Sequence, residues 1–288
     1  MFKGRLEIVQ QRGPLVLVVG ILLSLSALAG AQVSDDSGQT SSLDEVQVLY
    51  NSALSAKADG AYLKAREELE TILHNYPGFI KIISVKKEWG EVMMHLIHSR
   101  IPSHETLFYE VQSNDSLERI AKEHGTTIDL IKIRNKLKDT RLKLGQKLSL
   151  WNHPFNIDVN KTKNRLYLKM DSETIKEYIV STGKSDSLTP LGEFVIKYRY
   201  PFPTWFHHGK VVEGGSKENL LGTRWLGFNI PKYGIHGTIY PELLGQSVSG
   251  GCIRMKNQDV EELYDMIPVG TKVVVREQND EEVQDLAQ

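Results

Sequence analysis

The spacing of apolar residues changes along the chain, and this change constrains the fold more than any other feature. Residues 43–100 carry apolar side chains at steps of three and four, which predicts a small region of helices with one buried face. Residues 155–276 instead contain short β-rich stretches separated by Gly and Pro, with one helix expected at 257–266. Such a pattern favours a sandwich or a barrel. The expected fold class is therefore multidomain α+β with a mostly-β C-terminal domain.

The N-terminus has the order of a secretory signal, with basic residues, an apolar run and then small residues. Lys3, Arg5 and Arg12 precede the apolar run 14–28, and Ala-Gly-Ala follows at 29–31. We therefore predict a signal peptide at 1–31, with an uncleaved membrane anchor as the alternative. Basic residues before the run predict that the remainder is exported. The polar residues 32–42 predict a linker, and the acidic segment 277–288 predicts a disordered tail.

Charge and cysteine content narrow the functional classes. The formal net charge is −1, so the whole chain lacks the electrostatic footprint of a nucleic-acid-binding protein. Cys252 is the only cysteine, so no disulfide can form within the chain. A lone thiol in an oxidising compartment is either a small buried apolar residue or a reactive group, and its neighbours must decide between them.

The helical region 43–100 and the segment after it differ in pattern. Gly60-Ala61-Tyr62, Ala65 and Pro77 resemble a fragment of a tetratricopeptide repeat, but one copy is too few for a solenoid. We therefore interpret 43–100 as a structural spacer. Residues 107–151 predict strand, helix, helix and strand, with Asp115 or Ser116 capping the first helix and Thr127 the second.

The second pattern resembles a LysM module over nearly its whole length. The residues that carry the resemblance are Tyr109 to Leu117, Ile120-Ala121, Thr126-Thr127, Leu130-Ile131, Asn135 and Leu144 to Leu148. The family usually has Gly where Asn114 stands, but Asn also tolerates a left-handed turn. The resemblance implies a βααβ fold that binds N-acetylglucosamine-containing glycans. By the same resemblance the glycan-binding residues are Asn114, Asp115, Ser116 and Asn135.

Two stretches of the C-terminal domain carry residues suited to covalent chemistry, namely 233–238 and 247–255. A cysteine needs a base, because its free pKa leaves little thiolate at neutral pH, and an imidazolium at His236 would depress that pKa. The amides of Gly251 and Cys252 are candidates for an oxyanion hole next to Gly250. If 252–254 is extended, Arg254 faces the same side as Cys252, and its guanidinium could assist the thiolate in catalysis or hold a substrate carboxylate.

This combination resembles the L,D-transpeptidase (YkuD-like) domain across 155–276. The motifs that carry the resemblance are His236-Gly237-Thr238, Ser249-x-Gly251-Cys252-Ile253-Arg254, Ser181-Thr182-Gly183, 189–194 and 269–273. The resemblance implies a cysteine nucleophile, Cys252, a histidine base, His236, and a Gly237 carbonyl that fixes the imidazole. It implies no metal and no cofactor. Many members have a second histidine where Gly250 stands, so this chain lacks one auxiliary proton carrier.

The implied substrates are peptidoglycan stem peptides and glycan strands. Cys252 would attack the bond between the third and fourth stem residues, release D-alanine and hold the donor as a thioester. An amine of a second stem, or of an outer-envelope protein, would then accept it. Substrate-binding roles are predicted for Thr238, Ser249, Gly250 and Trp225. The protein would act in the periplasm or cell wall, and membrane anchoring through 1–31 would tether it to the inner membrane.

Two alternatives to transfer remain open at this stage. Water could resolve the thioester, which would make the protein a carboxypeptidase or endopeptidase, and a wall-binding scaffold would need no chemistry. Transfer needs a pocket that excludes water. We expect a cover from the bulky residues Phe202, Trp205, Phe206 and Trp225, although ordinary core packing is an equal explanation of them.

Overall fold

The computed structural model describes residues 37–184, 189–207 and 209–277, without the side chains of 37–42 and 207. The predicted signal or anchor at 1–31, the start of the predicted linker and the tail from 278 onward lie outside these ranges. Within them, the chain forms a helical region, a small two-stranded module and a larger β domain.

The helical region contains α1 (Ser37–Ala58), α2 (Tyr62–Asn75) and α3 (Ile82–His98). α1 packs on α2 and α2 packs on α3, with Ala53, Ala65 and Leu69 fully or almost fully buried. The prediction of a linker at 32–42 was wrong for 37–42, which are helical. Once α1 is nucleated by its packed residues from Val46 onward, each further turn toward the N-terminus costs little free energy.

The small module contains β1 (Thr106–Glu110), α4 (Leu117–Glu123), α5 (Ile128–Asn135) and β2 (Lys147–Trp151). β1 and β2 are antiparallel. The Ser116 hydroxyl accepts a hydrogen bond from the Arg119 amide and caps α4, and the Thr127 hydroxyl does the same for Leu130 in α5. Asn114 adopts φ 67°, the left-handed conformation that its side chain tolerates.

The β domain contains eleven strands and one α-helix, which are β3 (Asn156–Asn160), β4 (Arg165–Met170), β5 (Glu173–Gly183), β6 (Gly192–Pro201), β7 (Trp205–His207), β8 (Lys210–Val212), β9 (Arg224–Phe228), β10 (Gly234–His236), β11 (Ser247–Ser249), β12 (Ile253–Met255), α6 (Asn257–Met266) and β13 (Lys272–Arg276) among the described residues. Nine of these strands form one sheet in the order β11-β5-β12-β10-β9-β6-β13-β3-β4. β4 also pairs with β5, so eight of the nine close into a barrel-like ring. A separate hairpin of β7 and β8 lies between β6 and β9 in the sequence.

The helical region does not stand apart as a spacer, because it shares one apolar core with the β domain. α3 packs directly on β5, and a Cβ at Gly90 would overlap the Ile175 carbonyl, so only glycine permits this approach. The region predicted to be a helical spacer is therefore helical and packs on the β domain. Periodicity shows that a helix has a buried face but not which surface covers it.

The small module also docks on both neighbours. Arg134, only 1% exposed, donates to the carbonyls of Leu96 and Ile97 at the end of α3, at 2.8 and 2.5 Å. Its guanidinium also lies 5.5 Å from the centre of the Trp151 ring. On the other side, Thr127 donates to the Asp265 carbonyl at the end of α6. The three parts of the described chain therefore form one packed body.

None of the helices in the described ranges combines the length and the apolar character that crossing a membrane requires. The same ranges contain no group of three or more His, Cys, Asp or Glu side chains arranged to hold a metal ion.

Candidate active site

Strand pairing brings His236 and Arg254 together. In the parallel β10–β12 pair these two residues are register partners, and in the antiparallel β9–β10 pair His236 faces Trp225. The residues that alternate with them, Ile235 and Ile253, are fully buried in the core. Trp225, His236 and Arg254 therefore share the opposite face of three adjacent strands.

His236 is 4% exposed and lies between the Trp225 ring and a backbone carbonyl. The Trp225 and His236 ring centroids are 5.7 Å apart at an interplanar angle of 23°. Nδ1 lies 2.6 Å from the Gly237 carbonyl oxygen, and because a carbonyl only accepts, Nδ1 carries the proton and Nε2 is left as the basic nitrogen. Burial lowers the pKa of His236 to about 4, and the Arg254 charge also lowers it. Hydrogen bonding to the Gly237 and Leu221 backbone carbonyls acts in the opposite direction and raises this pKa.

Cys252 lies just before β12 and is half-buried. Its thiol donates to the Lys232 carbonyl at 3.3 Å, and Lys232 adopts φ 71° in the turn that directs this carbonyl toward the sulfur. Burial raises the pKa of the Cys252 thiol, and the Gly234 backbone and the Arg254 charge oppose that shift. Burial disfavours the charged form of both groups, so it opposes the expected depression of the thiol pKa by an imidazolium at His236.

Ser249 shapes the loop that carries the nucleophile. Its hydroxyl accepts from the Gly251 amide at 3.0 Å and donates to the Cys252 carbonyl at 2.6 Å, and the residue is 2% exposed. Gly251 adopts φ 119°, which a residue with a side chain rarely does. The Gly251 amide would have to share or leave its bond to Ser249 to serve as an oxyanion donor, so that role remains a prediction.

The other predicted substrate-binding residues differ in exposure and in contacts. Gly250 is exposed, and a Cβ built there would meet open space. Thr238 is 4% exposed, and its hydroxyl accepts from the Tyr240 amide at 3.1 Å. The Trp225 indole lies over Gly227 and Gly234, where any Cβ would overlap it. Of this group, Trp225 is the residue with a ring against His236.

Asn257 was not predicted, although it supports the histidine. This first residue of α6 accepts a hydrogen bond from the Thr223 amide at 3.3 Å through Oδ1. The same oxygen lies where a Cβ at Gly222 or Gly237 would be, so it fills the space between two close backbone segments. Gly237 in turn holds His236 Nδ1. The two glycines were visible in the sequence, but no local pattern links them to Asn257.

The predicted cover is only partly formed. Residues 202–223 leave the sheet between β6 and β9, and their returning end reaches the site at Gly222. Phe202 and Phe206 are 53% and 72% exposed. The Arg224 guanidinium lies 5.1 Å from the Phe202 ring centre. Phe202, which precedes the hairpin, and Phe206 in β7 therefore do not enclose the site as a packed lid, because both rings are exposed to solvent.

The predicted glycan-binding residues of the small module hold its own turns together. Asp115 accepts from the Tyr109 hydroxyl at 2.8 Å and from the Gln112 amide at 2.6 Å, and it pairs with Arg119. The Asn135 amide group bridges α5 to β2, since it donates to the Ser149 carbonyl at 2.8 Å and accepts from the Ser149 amide at 2.7 Å. Glycan contact through these side chains, Ser116 and Asn114 remains a prediction.

Comparison with known proteins agrees with this architecture. Residues 154–275 match the L,D-transpeptidase catalytic domain model, and residues 109–151 match the LysM domain model. The chain is 44% identical over 126 residues to a putative L,D-transpeptidase YqjB of Bacillus subtilis, covering 42% of this chain and 70% of that relative. It is 35% identical over 176 residues to a putative L,D-transpeptidase YkuD of Bacillus licheniformis, covering 59% of this chain and 98% of that relative.

A solved L,D-transpeptidase from Mycobacterium smegmatis resembles the chain only distantly, at 18% identity and a TM-score of 0.38. The match covers 46% of this chain and 64% of the solved one.

The sequence relatives define the class of protein, which is an L,D-transpeptidase catalytic domain joined to a LysM domain. This chain belongs to the L,D-transpeptidase family.

Proposed function

We propose that this chain transfers peptidoglycan stem peptides through a thioester on Cys252. The observation that carries the proposal is the arrangement of one thiol, one imidazole with a basic Nε2 and one guanidinium on neighbouring strands of a transpeptidase-family domain. These groups suit peptide-bond cleavage, because a sulfur nucleophile and a general base divide the reaction into two easier steps, formation of a thioester and its resolution.

The steps follow from the protonation states. Cys252 turns from the Lys232 carbonyl, and His236 Nε2 takes the thiol proton as sulfur attacks the carbonyl between stem residues three and four. The carbon–sulfur bond forms, the carbon–nitrogen bond breaks, and the imidazolium returns the proton to the leaving amine of D-alanine. An acceptor amine then attacks the thioester, and its proton passes to the thiolate through His236.

Two supporting roles follow from position and charge. Arg254 favours the thiolate and disfavours an imidazolium at rest, so its charge assists the step in which sulfur becomes anionic. Gly237 holds Nδ1, which keeps the proton off the nitrogen that must act as base. The assignment of peptidoglycan as the substrate rests on membership of the L,D-transpeptidase family. The LysM domain is consistent with a role at the cell wall.

The experiment uses the disaccharide-tetrapeptide of peptidoglycan with and without an amine acceptor, followed by mass analysis of the products. We expect dimers joined between two diaminopimelate residues, or exchange of the fourth residue for an added D-amino acid. Cys252→Ala should abolish both, whereas the exposed loop variant Gln246→Ala should retain them. Accumulation of tripeptide alone, despite abundant amine, would replace the transferase with a hydrolase. Full turnover by Cys252→Ala would remove this mechanism altogether.

A further inference from the structure

Two exposed tyrosines lie on the same sheet face as the proposed catalytic residues. Tyr198 and Tyr200 of β6 are 45% and 52% exposed, and their ring centroids are 6.3 Å apart at an interplanar angle of 10°. Arg199 between them points to the other face, where it donates to the Tyr264 carbonyl at 2.6 Å. The outward position of both tyrosines therefore follows from strand alternation.

The register connects these rings to the active site without a break. Tyr200 pairs with Trp225, which pairs with His236, which pairs with Arg254, so one row crosses four strands. The neighbouring row begins with Tyr198 opposite Gly227 and continues to Gly234.

Glycines in the second row leave room for the aromatic side chains. A Cβ at Gly227 would meet both the Trp225 indole and the Tyr198 side chain, so these two side chains come together over that glycine. A Cβ at Gly234 would meet the indole again. The result is a continuous aromatic surface that runs from Tyr200 to His236.

We propose that Tyr198 and Tyr200 form a saccharide subsite that holds the sugar to which the donor stem peptide is attached. Faces of tyrosine and tryptophan bind pyranose rings because the apolar C–H face of the sugar packs on the π face of the aromatic ring, while the polar groups at the edges stay solvated. This inference rests on the proposed function, because it assigns a place to the donor substrate of that reaction.

The distance along the sheet fits the donor. Adjacent strands lie about 4.8 Å apart, so three steps from β12 to β6 cover about 14 Å. Three extended stem residues span about 10 Å. The γ-linkage of the second residue and the lactyl ether on the sugar extend this reach. A donor with its third carbonyl at Cys252 can therefore place its sugar over the two tyrosines.

The glycan-binding domain meets the same strand from the other face. Arg199 lies 3.4 Å from Asp129 in α5 of the LysM domain. The LysM domain therefore packs on the face of β6 opposite the two tyrosines and leaves both rings uncovered. The occupant that fits the length of the row is a sugar that remains joined to its stem peptide.

The LysM domain would also bind the sugar, so total binding to the protein cannot test the subsite. The experiment therefore measures occupancy of the active site alone. Protection of the full chain's single thiol, Cys252, from iodoacetamide is measured with disaccharide-tripeptide and with the free tripeptide, neither of which contains the scissile bond. The disaccharide form should protect at a lower concentration. Tyr198→Ala combined with Tyr200→Ala should reduce this advantage by about tenfold, as expected for lost aromatic stacking.

Two matched variants and the turnover assay separate the outcomes. Tyr198→Phe combined with Tyr200→Phe keeps the rings and should keep most of the advantage, and Glu193→Ala on the same strand should not change it. Equal protection by both ligands in the parent, or an unchanged advantage in the alanine variant, overturns the subsite. If either occurs while transfer to an amine proceeds, only the subsite is wrong. If neither ligand protects and no turnover is seen, the proposed function fails as well.

Discussion

At the scale of single residues, burial controls the chemistry of the site. His236 has its basic Nε2 but a pKa of about 4, and the Cys252 thiol has a raised pKa because both lie in a poorly solvated face of the sheet. Both shifts favour a neutral thiol and a neutral imidazole. A neutral thiol also resists oxidation better than a thiolate.

The first prediction concerns the pH dependence of alkylation. Since the pKa of Cys252 lies above its ordinary value of 9.0, its rate with iodoacetamide should be lower at pH 7 than that of a free cysteine peptide and should rise through the alkaline range. Arg254→Gln removes a charge that favours the thiolate and should slow alkylation further, whereas Lys256→Gln nearby should not. A flat, fast rate from pH 5 to pH 8 would instead indicate a resting thiolate–imidazolium pair.

The second prediction concerns stability in acid. The folded pKa of His236 lies below its unfolded value of 6.5, so the unfolded state binds more protons and stability falls as pH drops from about 6.5 toward 4. The full loss is roughly 3 kcal/mol, and His236→Gln should remove it. Asp265 acts in the opposite sense, since burial raises its pKa to about 6. Denaturant unfolding at pH 7 and pH 4.5 must therefore be compared between parent and variant, and equal acid sensitivity would contradict the prediction.

At the scale of elements, the start of α6 and the end of the 202–223 excursion support the histidine together. Asn257 Oδ1 separates Gly222 from Gly237 and accepts from the Thr223 amide. This contact adds to the hydrogen bond from the Gly237 amide to the Arg224 carbonyl in fixing the backbone whose carbonyl holds Nδ1. Asn257 is thus a positioning residue, because it acts on the imidazole through Gly237 rather than on substrate.

We expect Asn257→Ala to lower kcat by about tenfold to a hundredfold with a smaller change in KM, since a misplaced base costs about that much. Asn257→Asp keeps the acceptor oxygen and should recover most of the rate. Val260→Ala, in the same helix and fully buried, is the control for a loss of stability alone. If Val260→Ala lowers kcat as much as Asn257→Ala at equal melting temperature, the positioning role is refuted.

At the scale of the whole molecule, Arg134 joins the LysM domain to the helical region. Its buried guanidinium donates to two carbonyls at the end of α3, to Thr106 and to Ser149. Burial lowers its pKa to about 10, so it remains charged at neutral pH. These contacts fix the orientation of the LysM domain relative to the rest of the protein. A flexibly tethered LysM domain would have no fixed orientation and would only raise the local concentration of substrate.

Arg134→Ala should lower the free energy of unfolding by about 2–4 kcal/mol, because it leaves buried carbonyls without donors and opens a cavity. Arg141→Ala is the matched control in the same domain, since that arginine is exposed and its ion pair among the described residues is with Asp139. Calorimetry should show one transition shifted downward for Arg134→Ala. A LysM transition that separates without affecting the rest of the protein would mean that the junction is not structural.

Much of the molecule follows from local sequence. Strands were predicted at 156–159, 165–169 and 272–275 and a helix at about 257–266, and each lies there to within a residue, because alternation and turn residues act within a few positions. Of the predicted caps, Asp115 or Ser116 and Thr127, Ser116 and Thr127 cap α4 and α5. The L,D-transpeptidase family could also be recognised from the sequence, because the residues of the motif around Cys252 are contiguous in the chain. The candidate nucleophile and base are therefore a property of the chain's sequence.

Only the tertiary structure decided how these parts act together. The resting protonation of Cys252 and His236 depends on burial by strands far away in sequence. The contact of Asn257 with Gly222, the tyrosine row on β6 and the docking of the helical region all join residues that no local pattern relates. Local patterns select which face of an element is buried, whereas desolvation, charge proximity and shape depend on which other element covers that face.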